Sequence, residues 1–135
     1  MVKQFSYGKA EKLKSRKITE QLFRSGKSFT VFPLKIFYIP VSEAQEFPLK
    51  VGVAVSSRNF KKATDRNRIK RLLREAYRTE KIPLLEFVKA NDKQLALFIL
   101  YIDKTLPEYS FIKSKMQFAL ERLIKQLHEK TAANT

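Results

Sequence analysis

Residues 51–78 read VGVAVSSRNFKKATDRNRIKRLLREAYR, and within them the spacing of the apolar side chains changes period. Through VGVAVS (51–56), Val51, Val53 and Val55 point to one face of a strand while Gly52, Ala54 and Ser56 point to the other. From about Asn59 to Glu80 the period is 3.6. Ile69, Leu72, Leu73, Ala76 and Tyr77 fall at relative positions 0, 3, 4, 7 and 8 and form one stripe. Asn59 has the chemistry of an N-cap, and Pro83 is expected to stop the helix. A strand leading into an amphipathic helix places both α and β elements in one core.

Working outward, KITEQLFRS (17–25) suits a short helix ended by Gly26. Phe29–Ile39 is rich in β-branched and aromatic residues and reads as a strand, long enough to hold a short extra one. SEAQEFP (42–48) is a polar connection. QLALFILY (94–101) is apolar on both faces, which predicts a central strand covered on both sides. After Pro107, the positions Ile112, Met116, Ala119, Leu120, Leu123 and Leu127 describe a last amphipathic helix. The expected fold is a single α+β domain spanning 1–135, an α-β sandwich in the order α-β-β-(β)-α-β-α. Segments 1–15 and 129–135 are expected to be flexible.

The chain has 135 residues, 28 Lys+Arg against 13 Asp+Glu, and a net charge of +15. That charge is concentrated. Residues 1–30 hold eight basic and two acidic side chains, and residues 61–81 hold nine and three. A hydrophobic content of 44% supplies a core, so this is not a disordered basic tail. Zero Cys removes disulfides, thiolate zinc sites and Cys nucleophiles, and the single His128 removes His-based metal clusters and Ser-His-Asp arrangements. No apolar run approaches the ~20 residues that cross a bilayer, and the N-terminus lacks the apolar core of a signal peptide. The expectation is a cytoplasmic protein that answers a polyanion.

The helix shows how. Opposite its apolar stripe fall Asn67, Arg71, Arg74 and Arg78, flanked by Arg68 and Lys70, with Arg66 near the apolar edge beside Tyr77. Arginines one turn apart repel one another, and guanidinium forks match phosphate oxygens bidentately. Three readings stand: an ordinary solvated face, a membrane-surface helix, and a phosphate-binding surface. Eight basic against two acidic residues in KKATDRNRIKRLLREAYR weigh toward the last.

The same segment closely resembles the signature of the bacterial ribonuclease P protein component. That family shows a V-G-x-x-V-[SA]-K-K strand followed by an A-x-x-R-N-R-x-K-R-x-x-R-E helix. Here the helix part stands as Ala63, Arg66-Asn67-Arg68, Lys70-Arg71 and Arg74-Glu75. The resemblance extends more loosely over about 12–127. It implies a left-handed β-α-β crossover, against the usual hand, and a subunit of the ribonucleoprotein endonuclease that removes the 5′ leader of precursor tRNA. The implied partners are the ribonuclease P RNA and precursor tRNA, with no membrane and no protein partner required. The implied catalytic centre lies in the RNA subunit with its Mg²⁺ ions, so no catalytic residue, metal site or cofactor is expected on this chain.

Carried over by position, Arg58, Lys61, Lys62, Arg66, Asn67, Arg68, Lys70, Arg71 and Arg74 would contact the catalytic RNA. Ser57 stands where most members have a Lys, and the loop lacks the Gly that many carry. The family's leader cleft, between the first helix and the open sheet face, maps to Phe23, Lys35, Phe37, Ala54 and Ser56. Thr19 stands where many members have another Phe. Simple core packing is the competing reading of Phe23 and Phe37. Two other functions remain to be separated: a ribosomal or assembly-type RNA chaperone, and a protein-only metal-dependent nuclease. The nuclease would need converging carboxylates, and Asp65, Glu75 and Glu80 are spread around one helix.

Overall fold

The computed structural model describes residues 12–13, 16–41 and 48–133, with side chains to His128. The elements are α1 (Arg16–Ser25), β1 (Lys27–Val31), β2 (Leu34–Pro40), β3 (Leu49–Val55), α2 (Ala63–Glu80), α3 (Ile82–Ala90), β4 (Leu95–Tyr101) and α4 (Tyr109–Ala133). Flexibility of 1–15 and 129–135 concerns residues largely outside this set. Lys12–Leu13 bridges to Val51, with the Leu13 amide donating to the Val51 carbonyl at 3.0 Å.

The four strands form one sheet in the order β1-β2-β4-β3. β1 and β2 are an antiparallel hairpin, β2 pairs antiparallel with β4, and β4 pairs in parallel with β3. The β3-α2-α3-β4 connection is therefore a parallel crossover, and the family's mixed α+β architecture is present. The short extra strand allowed for within Phe29–Ile39 is present, because the chain turns at Phe32–Pro33 and divides the stretch in two.

Alternation sorts the strands into two faces. Leu34, Ile36 and Tyr38 of β2, Leu95, Leu97, Ile99 and Tyr101 of β4, and Val51 and Val55 of β3 are buried together with the inner sides of α2, α3 and α4. In α2 the buried positions are Ile69, Leu73, Ala76 and Tyr77, four of the five in the expected stripe, and Leu72 is half-buried. α2 packs along α4 over this core. Each such side chain removed from water contributes about 1.5–3 kcal/mol, which exceeds the helix's internal charge repulsion of a few tenths per pair.

The opposite face is only partly covered, by α1 over β2 and β4. Leu22 and Ala96 are the buried residues there, outside the main core cluster, while Phe98 and Leu100 are half-buried. Coverage of β4 on both sides, as its composition suggested, is thus complete on one side and partial on the other.

One expectation, the cap, needs correction, and a second, the stop, gains a further role. α2 begins at Ala63, with Lys62 at the N-cap position and no side-chain cap. Asn59 instead donates its amide to the Ile102 carbonyl at 3.2 Å and the Asp103 carbonyl at 3.5 Å, anchoring the loop to the end of β4. α2 does stop ahead of Pro83, at Glu80, and Pro83 also opens the next helix. It sits in the first turn of α3, where its missing N–H is no loss. α1 does end at Gly26, whose amide donates to the Leu22 carbonyl at 3.0 Å. The reason is space and not handedness, since Gly26 does not have positive φ. A Cβ at Gly26 would run into the Leu22 carbonyl oxygen and approach the Tyr38 oxygen at 3.0 Å.

Candidate nucleic-acid interface

With its apolar stripe buried, α2 turns the other side outward. Asn67, Arg68, Arg71 and Arg74 are exposed and Lys70 is half-buried, and none of these cations forms an ion pair among the described residues. From Arg68 to Arg74 the row rises about 9 Å along the helix. Arg78 differs. Its Nε donates to the Glu75 carboxylate at 3.0 Å, and that bond holds the Glu75 carboxyl below its ordinary range. The C-terminal end of the row is thus neutralised within the chain, and the remaining positive charge lies toward the N-terminal half.

The loop before α2 is pinned from three sides. Asn59 is tied to Ile102 and Asp103, Phe60 is buried with its ring 6.1 Å from that of Tyr101, and the Phe60 amide donates to the Ser56 carbonyl at 3.2 Å. The third fixing is Arg66. Its Nη1 donates to the carbonyls of Phe60 and Lys61, both at 2.8 Å. These anchors leave Arg58, Lys61 and Lys62 exposed on the outside of the loop. Of the nine basic-surface residues expected from sequence, eight therefore face outward or lie at the rim. Arg66 is half-buried and engaged, which agrees with its place near the apolar edge and gives it a positioning role.

The open sheet face forms the second surface. Register aligns its side chains in rows: Lys35 with Leu100 and Ala54, and Phe37 with Phe98 and Gly52. Phe23 descends from α1 onto the second row. Its ring meets Phe37 at 5.0 Å and Phe98 at 5.1 Å, both edge-to-face, and it remains 50% exposed. Lys35 Nζ stands 5.2 Å from the Phe37 ring centre. Phe37, Ala54 and Ser56 are half-buried. Core packing and exposure are thus both partly realised: the rings hold one another and still present an aromatic surface beside a cation.

Phe98 is the residue that sequence reasoning passed over. It was legible only as one letter in an apolar run, although its parity with Ala96 and Leu100 puts it on the open face. Its ring also fills part of the floor that the small residues Gly52, Ala54 and Ser56 would otherwise leave shallow. A Cβ on Gly52 would come within 3.0 Å of the Phe98 Cδ2, so the glycine makes room for that ring and the floor is open only at Ala54 and Ser56.

The two surfaces meet at the β3 edge. A recess of about 270 Å³ is lined by Lys12, Leu13, Val51, Gly52, Val53, Arg74 and Phe98. Arg74 from the cation row and Phe98 from the aromatic cluster thus border one hollow, with Lys12 on its rim. Among the described residues no three His, Cys, Asp or Glu side chains gather as metal ligands, and no helix is long and apolar enough to cross a membrane.

A family model described as Ribonuclease P matches residues 7–127. A ribonuclease P protein component from Porphyromonas gingivalis is 32% identical over 119 residues, covering 88% of this chain and 87% of that protein. One from Chlorobium phaeobacteroides is 32% identical over 121 residues, covering 82% and 83%. Among solved structures, the Staphylococcus aureus RNase P protein superposes with a TM-score of 0.62 at 18% identity, covering 85% of this chain and 96% of that one. The Thermotoga maritima RNase P protein gives 0.63 at 21% identity, covering 83% and 96%. At those identities the structures speak to the fold, and the sequence relatives speak to the family.

Proposed function

The chain belongs to the ribonuclease P protein family, and from that premise we propose that it binds the catalytic RNA of ribonuclease P through α2 and the 5′ leader of precursor tRNA through the open sheet face. Ribonuclease P is the endonuclease of tRNA 5′ maturation, and this chain is its protein component. The observation that carries the finer reading is the recess at the β3 edge, where Arg74 and Phe98 border the same hollow. A structured RNA on the cation row and a single strand on the aromatic cluster would lie side by side, as cleavage at a leader–body junction requires.

Each surface has the chemistry of its ligand. The exposed Arg68, Arg71 and Arg74, with Arg58, Lys61 and Lys62 on the pinned loop, offer forks and point charges to phosphates. The first-turn amides of α2 have no side-chain cap and lie beside Lys61 and Lys62, a setting that favours a phosphate. On the open face a leader base would stack against Phe23 or Phe37 while Lys35 meets its phosphate, which holds a single strand without strict sequence readout.

Hydrolysis is assigned to the RNA subunit, whose Mg²⁺ ions supply the metal chemistry. The described residues of this chain do not fit a metal site, and Glu75, a carboxylate of the RNA-facing helix, is engaged by Arg78. The protein's part is to neutralise phosphates that would otherwise need diffuse cations, and to hold the leader. The compartment proposed for this work is the cytoplasm. Precursor tRNA incubated at low Mg²⁺ with the RNA subunit, with the protein, and with both tests the reading. Leader removal only with both supports it. Cleavage by the protein alone would overturn it, and so would ribosomal RNA binding with no effect on leader removal.

A further inference from the structure

α4 buries Ile112, Met116, Ala119, Leu120, Leu123 and Leu127 against the core. On its outer side Phe111, Lys115, Phe118 and Arg122 follow at i, i+4, i+7 and i+11, which keeps all four within about 60° of one another around the helix. Phe111 is 44% exposed and Phe118 is 56% exposed. Lys115 Nζ lies 5.5 Å from the centre of the Phe111 ring. The Arg122 guanidinium stands 4.9 Å over the Phe29 ring and donates from Nη1 to the Thr30 carbonyl at 3.1 Å, so it is held in place at the solvent side. The stripe therefore alternates aromatic, cation, aromatic, cation over about 16 Å.

We propose that this face of α4 is a further binding surface for single-stranded RNA, separate from the cation row of α2 and from the open sheet face. Two exposed phenylalanines on one helix face leave apolar surface in water that a partner would cover. The partner's chemistry follows from what surrounds the rings. On the ring side of the helix Lys115, Arg122 and Lys125 stand against Glu121, while Lys113 is turned away and pairs with Glu80 at 3.9 Å, so the complementary partner is anionic. A flat apolar group carried on an anionic backbone describes an unpaired nucleotide, whose base lies on a Phe ring while its phosphate meets the neighbouring cation. A duplex hides its base faces and cannot use the rings in this way. α4 lies on the helix-covered side of the sheet, away from the α1 cleft, so a strand bound here is not the one bound there.

Octauridylate and an RNA hairpin without single-stranded ends serve as probes, using the full chain carrying Phe23→Ala, Arg71→Ala and Arg74→Ala. That parent weakens the two surfaces assigned above, so the outcome does not depend on them. Adding Phe111→Ala or Phe118→Ala is expected to weaken octauridylate binding at least fivefold, on the order expected for one lost stacking contact. Hairpin affinity and melting temperature should stay within error, because both rings are on the surface. Unchanged octauridylate affinity in both variants overturns the proposal. So does a change confined to self-association in sedimentation equilibrium without RNA, which would make a second copy of the chain the occupant.

Discussion

Arg66 separates a positioning role from a contact role within the same basic helix. Its guanidinium makes two charge-assisted hydrogen bonds at 2.8 Å to the carbonyls of Phe60 and Lys61. Such bonds contribute about 1.5–3 kcal/mol when fully lost. The Lys61 end is exposed, so water recovers part of that, and about 1.5 kcal/mol is the expected cost of Arg66→Ala. In a domain of this size that lowers the melting temperature by roughly 5 °C. Amide exchange over residues 57–62 should accelerate, because the loop loses one of its three anchors. Arg71→Ala is the contrasting perturbation. Arg71 is exposed and unpaired among the described residues, so its loss should leave stability within about 0.5 kcal/mol of the parent. It should instead reduce the slope of log affinity for the catalytic RNA against log salt by about 0.7–0.9. Arg66→Lys should recover part of what Arg66→Ala loses in the melt, since both bonds come from one nitrogen and an ammonium can also donate twice, although from a side chain one bond shorter. The reasoning is refuted if Arg66→Ala leaves melting and loop exchange untouched while reducing the salt slope as Arg71→Ala does.

Other expectations follow from the fold. Gly26→Ala should destabilise by about 1–3 kcal/mol, read by denaturant midpoint, because its Cβ meets backbone oxygens that cannot swing aside; a midpoint equal to the parent's contradicts that account of the α1 end. Phe98→Ala should cost about 2–3 kcal/mol and remove one of the two ring contacts of Phe23, so the loss on adding Phe23→Ala should be smaller than in the parent when the two are measured as a double-mutant cycle. Burial raises the phenols of Tyr38 and Tyr101 above their ordinary value of 10.0, so on alkalinisation the unfolded chain loses these protons first. Their contribution is present below pH ~10 and disappears as pH rises through the folded values, so melting temperature should fall as pH rises above about 10, and less steeply in Tyr38→Phe.

What could be read from sequence was what periodicity encodes. The stripe of α2 and the two faces of β2 follow from spacing alone, and they fixed which cations point outward. Where a residue carries two meanings, spacing was not enough. Pro83 follows the stop of α2, as expected, and also opens α3, since the same missing N–H suits both. Asn59 has the chemistry of a cap, but the carbonyls of Ile102 and Asp103, more than 40 residues away, claim its amide. Arg66 stands in the motif beside Arg68 and Arg71, yet its position at the apolar edge turns it inward to the loop. Phe98 was hidden in a run apolar on both faces, and its role depends on Phe23 and Gly52 arriving from α1 and β3. For Asn59 and Phe98 a long-range contact overrides a local preference, whereas Arg66 is claimed by carbonyls only five and six residues away.

The most direct test is the affinity of the assembled RNA–protein complex for precursor tRNA with and without its 5′ leader, compared among the parent, Phe23→Ala and Arg71→Ala. The predicted result is a double dissociation. The parent prefers the leader-bearing substrate, Phe23→Ala loses at least about fivefold of that preference with RNA assembly unchanged, and Arg71→Ala weakens assembly while keeping the preference. A leader preference that survives Phe23→Ala intact, or that disappears with Arg71→Ala under conditions of full assembly, would contradict the assignment of two surfaces to two RNAs.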